Sequence, residues 1–212
     1  KKIEGMVYVS SMEVYGIPDE KKEYITEKDL GYIELENVRS SYSEGKRICE
    51  CLCNAYTAEF GLPVKSARLA QTFGAGVLQE DNRVYAQFAR SAMKKENLVL
   101  RTDGSSEGNY CYTRDVIRAL LLLGYSGKVG EAYNVVNEKS HMTIREMAEL
   151  VANDVSNGEI KVEFDIPDEA KSLGYAPKVK MHLSSEKLNK LGWKVEVDMK
   201  EAYLRMMNDM EA

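Results

Sequence analysis

The chain has 212 residues, enough for one large domain or two small lobes. Its 44% apolar and 30% charged residues are those of an ordinary globular protein, and a formal charge of −5 argues against broad electrostatic binding of nucleic acid. No apolar run approaches the ~20 residues of a membrane span, and Lys1-Lys2-Ile3-Glu4 does not lead into a signal-peptide core, so the cytoplasm is the expected compartment.

Residues 6–10 (MVYVS) predict a buried strand entering a turn at Ser11. Residues 17–38 are polar and acidic, with Pro18 and little periodicity, which predicts a long surface loop. From about Arg39 to Phe60 a helical pattern runs through Ile48, Leu52, Ala55 and Phe60, stopped by Gly61 and Pro63. Residues 64–69 (VKSARL) predict a second strand, 72–76 a loop, 83–95 a helix and 98–100 a short strand. A turn at 103–106, an extended piece at 110–112, a helix at 114–123 and a strand at 132–136 follow. The helix at 144–153 opens with Thr143 and Glu146, spaced as in a capping box. A strand at 161–164, a loop through Pro167 and Pro177, a short helix at 184–191 and a terminal helix from about 199 complete the chain. Strands alternating with helices predict an α/β fold with a mainly parallel sheet.

Three of the four cysteines, Cys49, Cys51 and Cys53, alternate within one predicted helix, and Cys111 stands apart. Cys49 and Cys53 share a face while Cys51 points away, so one helix cannot aim all three at a metal. With only His141 and His182 in the chain, they read as small buried hydrophobes, with no metal site and no disulfide framework expected.

The chemistry-bearing pattern is Tyr42-Ser43-Glu44-Gly45-Lys46-Arg47. A Tyr followed four positions later by Lys lies on one helical face, where the ammonium can stabilise a tyrosinate and make the phenol a base usable near neutral pH. Ser11, closing the preceding strand, is placed to hydrogen-bond the same substrate hydroxyl. Alone the Tyr–Lys spacing is a weak signal, and a solvated helix face is the bland alternative. Here Ser10–Gly16 (SSMEVYG) precedes it, Gly45 lies inside it where a cofactor can approach closely, and Arg68–Gly74 (RLAQTFG) follows.

Those segments, with NYCYTRDV (109–116), GEAYNVVNE (130–138) and LGW (191–193), resemble the extended short-chain dehydrogenase/reductase family, the NAD-dependent nucleotide-sugar epimerases, dehydratases and decarboxylases. They run in family order across nearly the whole chain, and YSEGKR with Glu13 is most similar to the UDP-glucuronate decarboxylases. The resemblance implies a Rossmann-type doubly wound parallel sheet plus a small α/β substrate-binding lobe. Residues 1–72 and 109–136 would form the remainder of the Rossmann-type domain with its catalytic helix, and 73–108 and 137–212 the lobe that takes the sugar nucleotide. It further implies NAD as cofactor, transient oxidation at sugar C4, and a homodimer. By resemblance Tyr42 is the base for the C4 hydroxyl, Lys46 favours its tyrosinate and holds the nicotinamide ribose, and Ser11 binds the C4 oxygen. Glu13 assists a second step at C5, which the C4 ketone acidifies. Arg68 joins Tyr42 and Lys46 at the cofactor, while Gln71, Val84 and Phe88 join Ser11 at the substrate.

The departures from the family pattern carry their own expectations. Met12 stands where dehydratases place the acid that expels the C6 hydroxyl, so full dehydration is not expected. Gln71 stands at the usual Asn. Two positions that carry diphosphate-gripping arginines are Gly108 and the Tyr175-Ala176-Pro177-Lys178 region, with Arg114, Lys178 and Lys180 as substitutes. The strand, glycine-rich turn and helix that open family members, and hold the pyrophosphate, are expected to be missing, and Gly74-Ala75-Gly76 does not replace them. The chain therefore reads as the C-terminal portion of such an enzyme, inactive alone and prone to self-association. The alternative is a non-catalytic folding, oligomerisation or vestigial ligand-binding module.

Overall fold

The computed structural model describes residues 3–167 and 180–211. The chain divides into two units: Lys1–Thr72, Asn109–Glu138 and Met181–Glu196 form the first, and Phe73–Gly108, Lys139–Lys180 and Val197–Ala212 the second.

The first unit is built on three parallel strands in the order β1-β2-β6, with β1 Met6–Ser11, β2 Val64–Leu69 and β6 Ala132–Val135. Register pairs Ser10 with Arg68 and Arg68 with Asn134. Side chains alternate across a strand, and the two faces differ sharply. Val7, Ala67, Leu69, Tyr133 and Val135 meet Val116, Ala119 and Leu123 of helix α3 (Thr113–Ser126) in an apolar core that Leu188 and Trp193 complete. Trp193 Nε1 donates to the Asp115 carbonyl at 3.0 Å, so the indole is buried with its polar atom satisfied.

The opposite face is polar and lies under helix α1 (Ser40–Phe60). Ser10 Oγ donates to Glu50 Oε1 at 2.5 Å, and Arg68 Nη2 bonds Glu50 Oε2 at 2.7 Å. Arg68 Nη1 also donates to the Tyr15 hydroxyl at 3.1 Å and the Glu27 carbonyl at 2.8 Å, and Tyr15 in turn donates to Asn134 Oδ1 at 2.6 Å. Helices on both faces of a parallel sheet make this unit doubly wound, as the strand–helix alternation predicts.

Helix α1 ends where expected, on Gly61 in the left-handed conformation (φ 67°). Its apolar side chains do not face the sheet: Ile48, Leu52, Tyr56 and Phe60, four residues apart, are all at least half exposed, and the buried members are Ser43 and Glu50. The polar loop at 17–38 is anchored by bridges Ile17–Tyr32 and Ile25–Leu183, with Ile25 buried. Gly16 shows why: at φ 58° a Cβ there would overlap the Tyr32 carbonyl, so the tight return of this loop needs glycine.

In the second unit, β4 (Leu98–Leu100) pairs in parallel with β8 (Val162–Phe164). Helix α2 (Val84–Lys94) and helix α6 (Met199–Met210) contribute Tyr85 and Tyr203 to an aromatic group, with Phe73 centred 4.9 Å from Tyr85 and 5.3 Å from Tyr203. Helix α4 (Ile144–Leu150) carries the complete capping box at Thr143 and Glu146, then widens into a π-helical turn over Val151–Val155. Helix α5 is the short Glu186–Asn189 of the first unit.

A further three-stranded sheet has the order β3-β5-β7, with β3 Gln71–Phe73, β5 Glu107–Tyr112 and β7 Asn137–Thr143. The loop expected at 72–76 thus begins in a strand, and β7 was not foreseen in NEKSHMT, whose buried positions include Asn137 and Ser140 rather than apolar alternation. The cysteine expectation is also corrected: Cys111 is buried, but Cys51 is exposed, on the outward side of α1, and Cys49 and Cys53 on the other face are half-buried.

Candidate active site

Four of the residues singled out in the sequence gather at the C-terminal end of β1. The chain leaves the sheet at Ser11 and enters a short 3₁₀ turn, Met12–Tyr15, where Ser11 Oγ accepts the Glu13 amide at 3.2 Å. That bond leaves the Ser11 hydroxyl proton available for donation. Glu13 is exposed, and its carboxylate accepts Ser43 Oγ at 3.4 Å, a long bond from the residue beside Tyr42. Arg47 of the same helix donates to the Val14 carbonyl at 2.8 Å and the Gly31 carbonyl, which clamps the 3₁₀ turn onto α1.

Tyr42 is 54% exposed. The Lys46 ammonium lies 5.7 Å from the centre of the Tyr42 ring and 5.2 Å from that of Tyr8, and donates to the Val9 carbonyl at 2.9 Å. Met6 N donates to Pro63 at the start of β2, so even-numbered groups of β1 point toward β2 and odd-numbered ones away from it. Val9 O therefore points away from β2, and Lys46 caps it.

Arg68 is placed differently. It is 5% exposed and its guanidinium is engaged by Glu50, Tyr15 and Glu27. Burial opposes its charge, and the bonds to Glu50 more than offset this, holding the guanidinium above its ordinary range. With Glu50, Ser66 and Lys187 it lines a cavity of about 760 Å³ beneath α1. Gln71 is exposed on β3. Val84 is half-buried and Phe88 buried on α2, in the second unit. Of the substitute cations, Arg114 pairs with Glu196 at 2.9 Å, Lys180 is exposed, and Lys178 with the rest of 175–178 lies outside the described residues.

The side chains at this corner fit the ribose end of a nicotinamide cofactor: an exposed phenol and an ammonium on one helical face. The pyrophosphate end is not matched among the described residues. Gly124, Gly127 and Gly130 have the glycine spacing of a dinucleotide turn, but the first lies in the last turn of α3 and the others lead from that helix into β6. A helix before and a strand after is the reverse of the strand–turn–helix order that aims helix amides at phosphate. Two residues of this corner, Ser43 and Tyr8, were not singled out by sequence. The signal for Tyr8 was present in the period of β1, which puts it on the same face as Ser10.

A family model described as the NAD dependent epimerase/dehydratase family matches residues 1–136. Among curated relatives, UDP-glucuronic acid decarboxylase 6 of Arabidopsis thaliana is 29% identical over 205 residues, covering 96% of this chain and 57% of the relative. UDP-glucuronic acid decarboxylase 1 of Danio rerio is 31% identical over 152 residues, covering 72% of this chain and 35% of the relative. The chain thus spans about half, or less, of the length of these curated relatives. Among solved structures, RMD from Pseudomonas aeruginosa complexed with NADPH superposes with TM-score 0.79 at 28% identity, covering 97% of this chain and 66% of that one. UDP-glucose 4-epimerase from Thermotoga maritima, solved with UDP-glucose, shares the fold with TM-score 0.80 at 21% identity, covering 97% and 62%. With a family model matched over more than half of its residues, this chain belongs to the NAD dependent epimerase/dehydratase family.

Proposed function

We propose that the first unit carries the proton-relay side of an NAD-dependent nucleotide-sugar epimerase or decarboxylase working through transient oxidation at sugar C4. The observation that supports this most is the exposed Tyr42 with the Lys46 ammonium 5.7 Å from its ring, at the strand end that also presents Ser11 and Glu13. NAD, when bound, supplies the hydride acceptor for C4. Tyr42 takes the C4 hydroxyl proton, Lys46 favours its tyrosinate, and Ser11 donates a hydrogen bond to the C4 oxygen. With C4 a ketone, C5 becomes acidic or its carboxylate labile, and Glu13 is the group at hand for that step. Met12 has no proton to give, so expulsion of a C6 hydroxyl is not part of this reading.

Decarboxylation is favoured over C4 epimerisation by Glu13 and by the wording of the Tyr42–Arg47 segment. A second reading, a non-catalytic association module, draws support from the apolar stripe that α1 turns outward. Turnover of the full protein with UDP-glucuronate separates the two. Tyr42→Phe is expected to lower kcat at least about a thousandfold, since general-base transfer and the tyrosinate are lost together. Near-normal turnover in that variant would sink the assignment. Glu13→Gln should cripple decarboxylation or C5 epimerisation and leave a simple C4 epimerase largely intact.

A further inference from the structure

The Lys46 ammonium is held from three sides, by the Val9 carbonyl, the Tyr42 ring and the Tyr8 ring. The Tyr42 contact is within α1, four residues back, and comes with the helix. The Tyr8 contact is tertiary. Tyr8 shares the face of β1 from which Ser10 reaches Glu50, so its ring lies between the strand and α1. Burial, and the neighbouring Cys49 thiol after it, raise the Tyr8 phenol above its ordinary range, so the ring stays neutral beside the cation. At 5.2 Å the ammonium is within the ≈ 6 Å over which a ring quadrupole attracts a cation.

We propose that Tyr8 is a positioning residue for Lys46, its ring face holding the ammonium next to Tyr42. The inference rests on the reading of Lys46 as the relay lysine. Lysine otherwise has four flexible side-chain torsions, and a single backbone acceptor fixes only its tip. A ring on the strand side restricts where that tip can swing, which is how a strand residue outside the Tyr–Lys motif would influence the base.

The test uses the 212-residue chain and lysine-selective NMR, with the Lys46 resonance assigned by its loss in Lys46→Arg. Tyr8→Phe keeps the ring, and the ring-current shift of the Lys46 ε-methylene is expected to survive. Tyr8→Leu should abolish the part of the shift that does not come from Tyr42. An unchanged Lys46 resonance in folded Tyr8→Leu overturns the proposal. Should Tyr8→Leu fail to fold, nuclear Overhauser contacts between the Tyr8 ring protons and the Lys46 ε-methylene in the unsubstituted chain decide, and their absence also overturns it. In turnover of the full protein, Tyr8→Leu should lower kcat about fivefold, the size of an exposed cation–π contact, with KM for the sugar nucleotide unchanged and Tyr8→Phe close to the parent. Equal kcat losses in both variants, or none in Tyr8→Leu, overturn the role of the ring. Normal turnover in Tyr42→Phe would remove the functional reading instead and leave the Lys46 resonance result standing.

Discussion

Arg68 shows how a residue recognised by its motif can be engaged by the fold. The motif reading placed it at the cofactor, whereas in the structure its donors meet Glu50, the Tyr15 hydroxyl and the Glu27 carbonyl beneath α1. Removing one partner of a buried pair strands the other charge, so Glu50→Ala is expected to destabilise the protein by about 3–5 kcal/mol in urea unfolding. Pairing it with Arg68→Met should recover much of that loss, because the uncompensated guanidinium is gone. A full loss in the double variant would show that the network matters for more than charge compensation. Tyr42 and Lys46 could be placed on one helix face from their spacing, and Ser11 at a strand end from the pattern before it, while Glu13 entered only through the family resemblance. Ser43 and Tyr8 were not legible, since their relevance depends on which way a neighbouring element turns.

At the scale of elements, local signals served well where they were strong. Gly61 ended α1, and Thr143 with Glu146 began α4. The Glu146 carboxylate accepts the Thr143 amide at 2.7 Å, and Thr143 Oγ1 accepts the Glu146 amide at 3.1 Å. Thr143→Ala should therefore lower stability by about 1 kcal/mol, with Thr143→Ser near neutral, in thermal or urea unfolding. Strand β7 was hidden because its buried side chains are polar, and strand signals depend on apolar alternation. The apolar residues of α1 marked a helix correctly and misled about its orientation. Ile48, Leu52 and Phe60 have the spacing of a core face, yet the face that meets the sheet is the one bearing Ser43 and Glu50. Periodicity fixes that a helix has two faces, and the partner decides which one is buried.

For the molecule as a whole, apolar surface is distributed unevenly. Tyr42, Ile48, Leu52, Tyr56 and Phe60 are exposed on α1, Ile117, Leu121 and Tyr125 on α3, and Met6 and Val9 on the edge strand β1. A monomer seldom leaves so much apolar surface uncovered. Sedimentation of the chain at increasing concentration is expected to show a rise in average mass, and Leu52→Glu with Phe60→Glu to suppress it. A concentration-independent monomer would remove association, and with it the homodimer suggested by resemblance. Among the described residues no helix is long and apolar enough to cross a membrane.

The bond from Lys46 to the Val9 carbonyl complicates the usual experiment on this residue. Removing a relay lysine is the customary way to show that chemistry depends on it. Here Lys46→Met would also take a donor from the Val9 carbonyl, loosening the strand end that carries Ser11 at the same moment that it disarms the base. Lost turnover in that variant would arrive mixed with a displaced Ser11. Tyr42→Phe leaves the Lys46 bond to Val9 in place, and is the cleaner knockout.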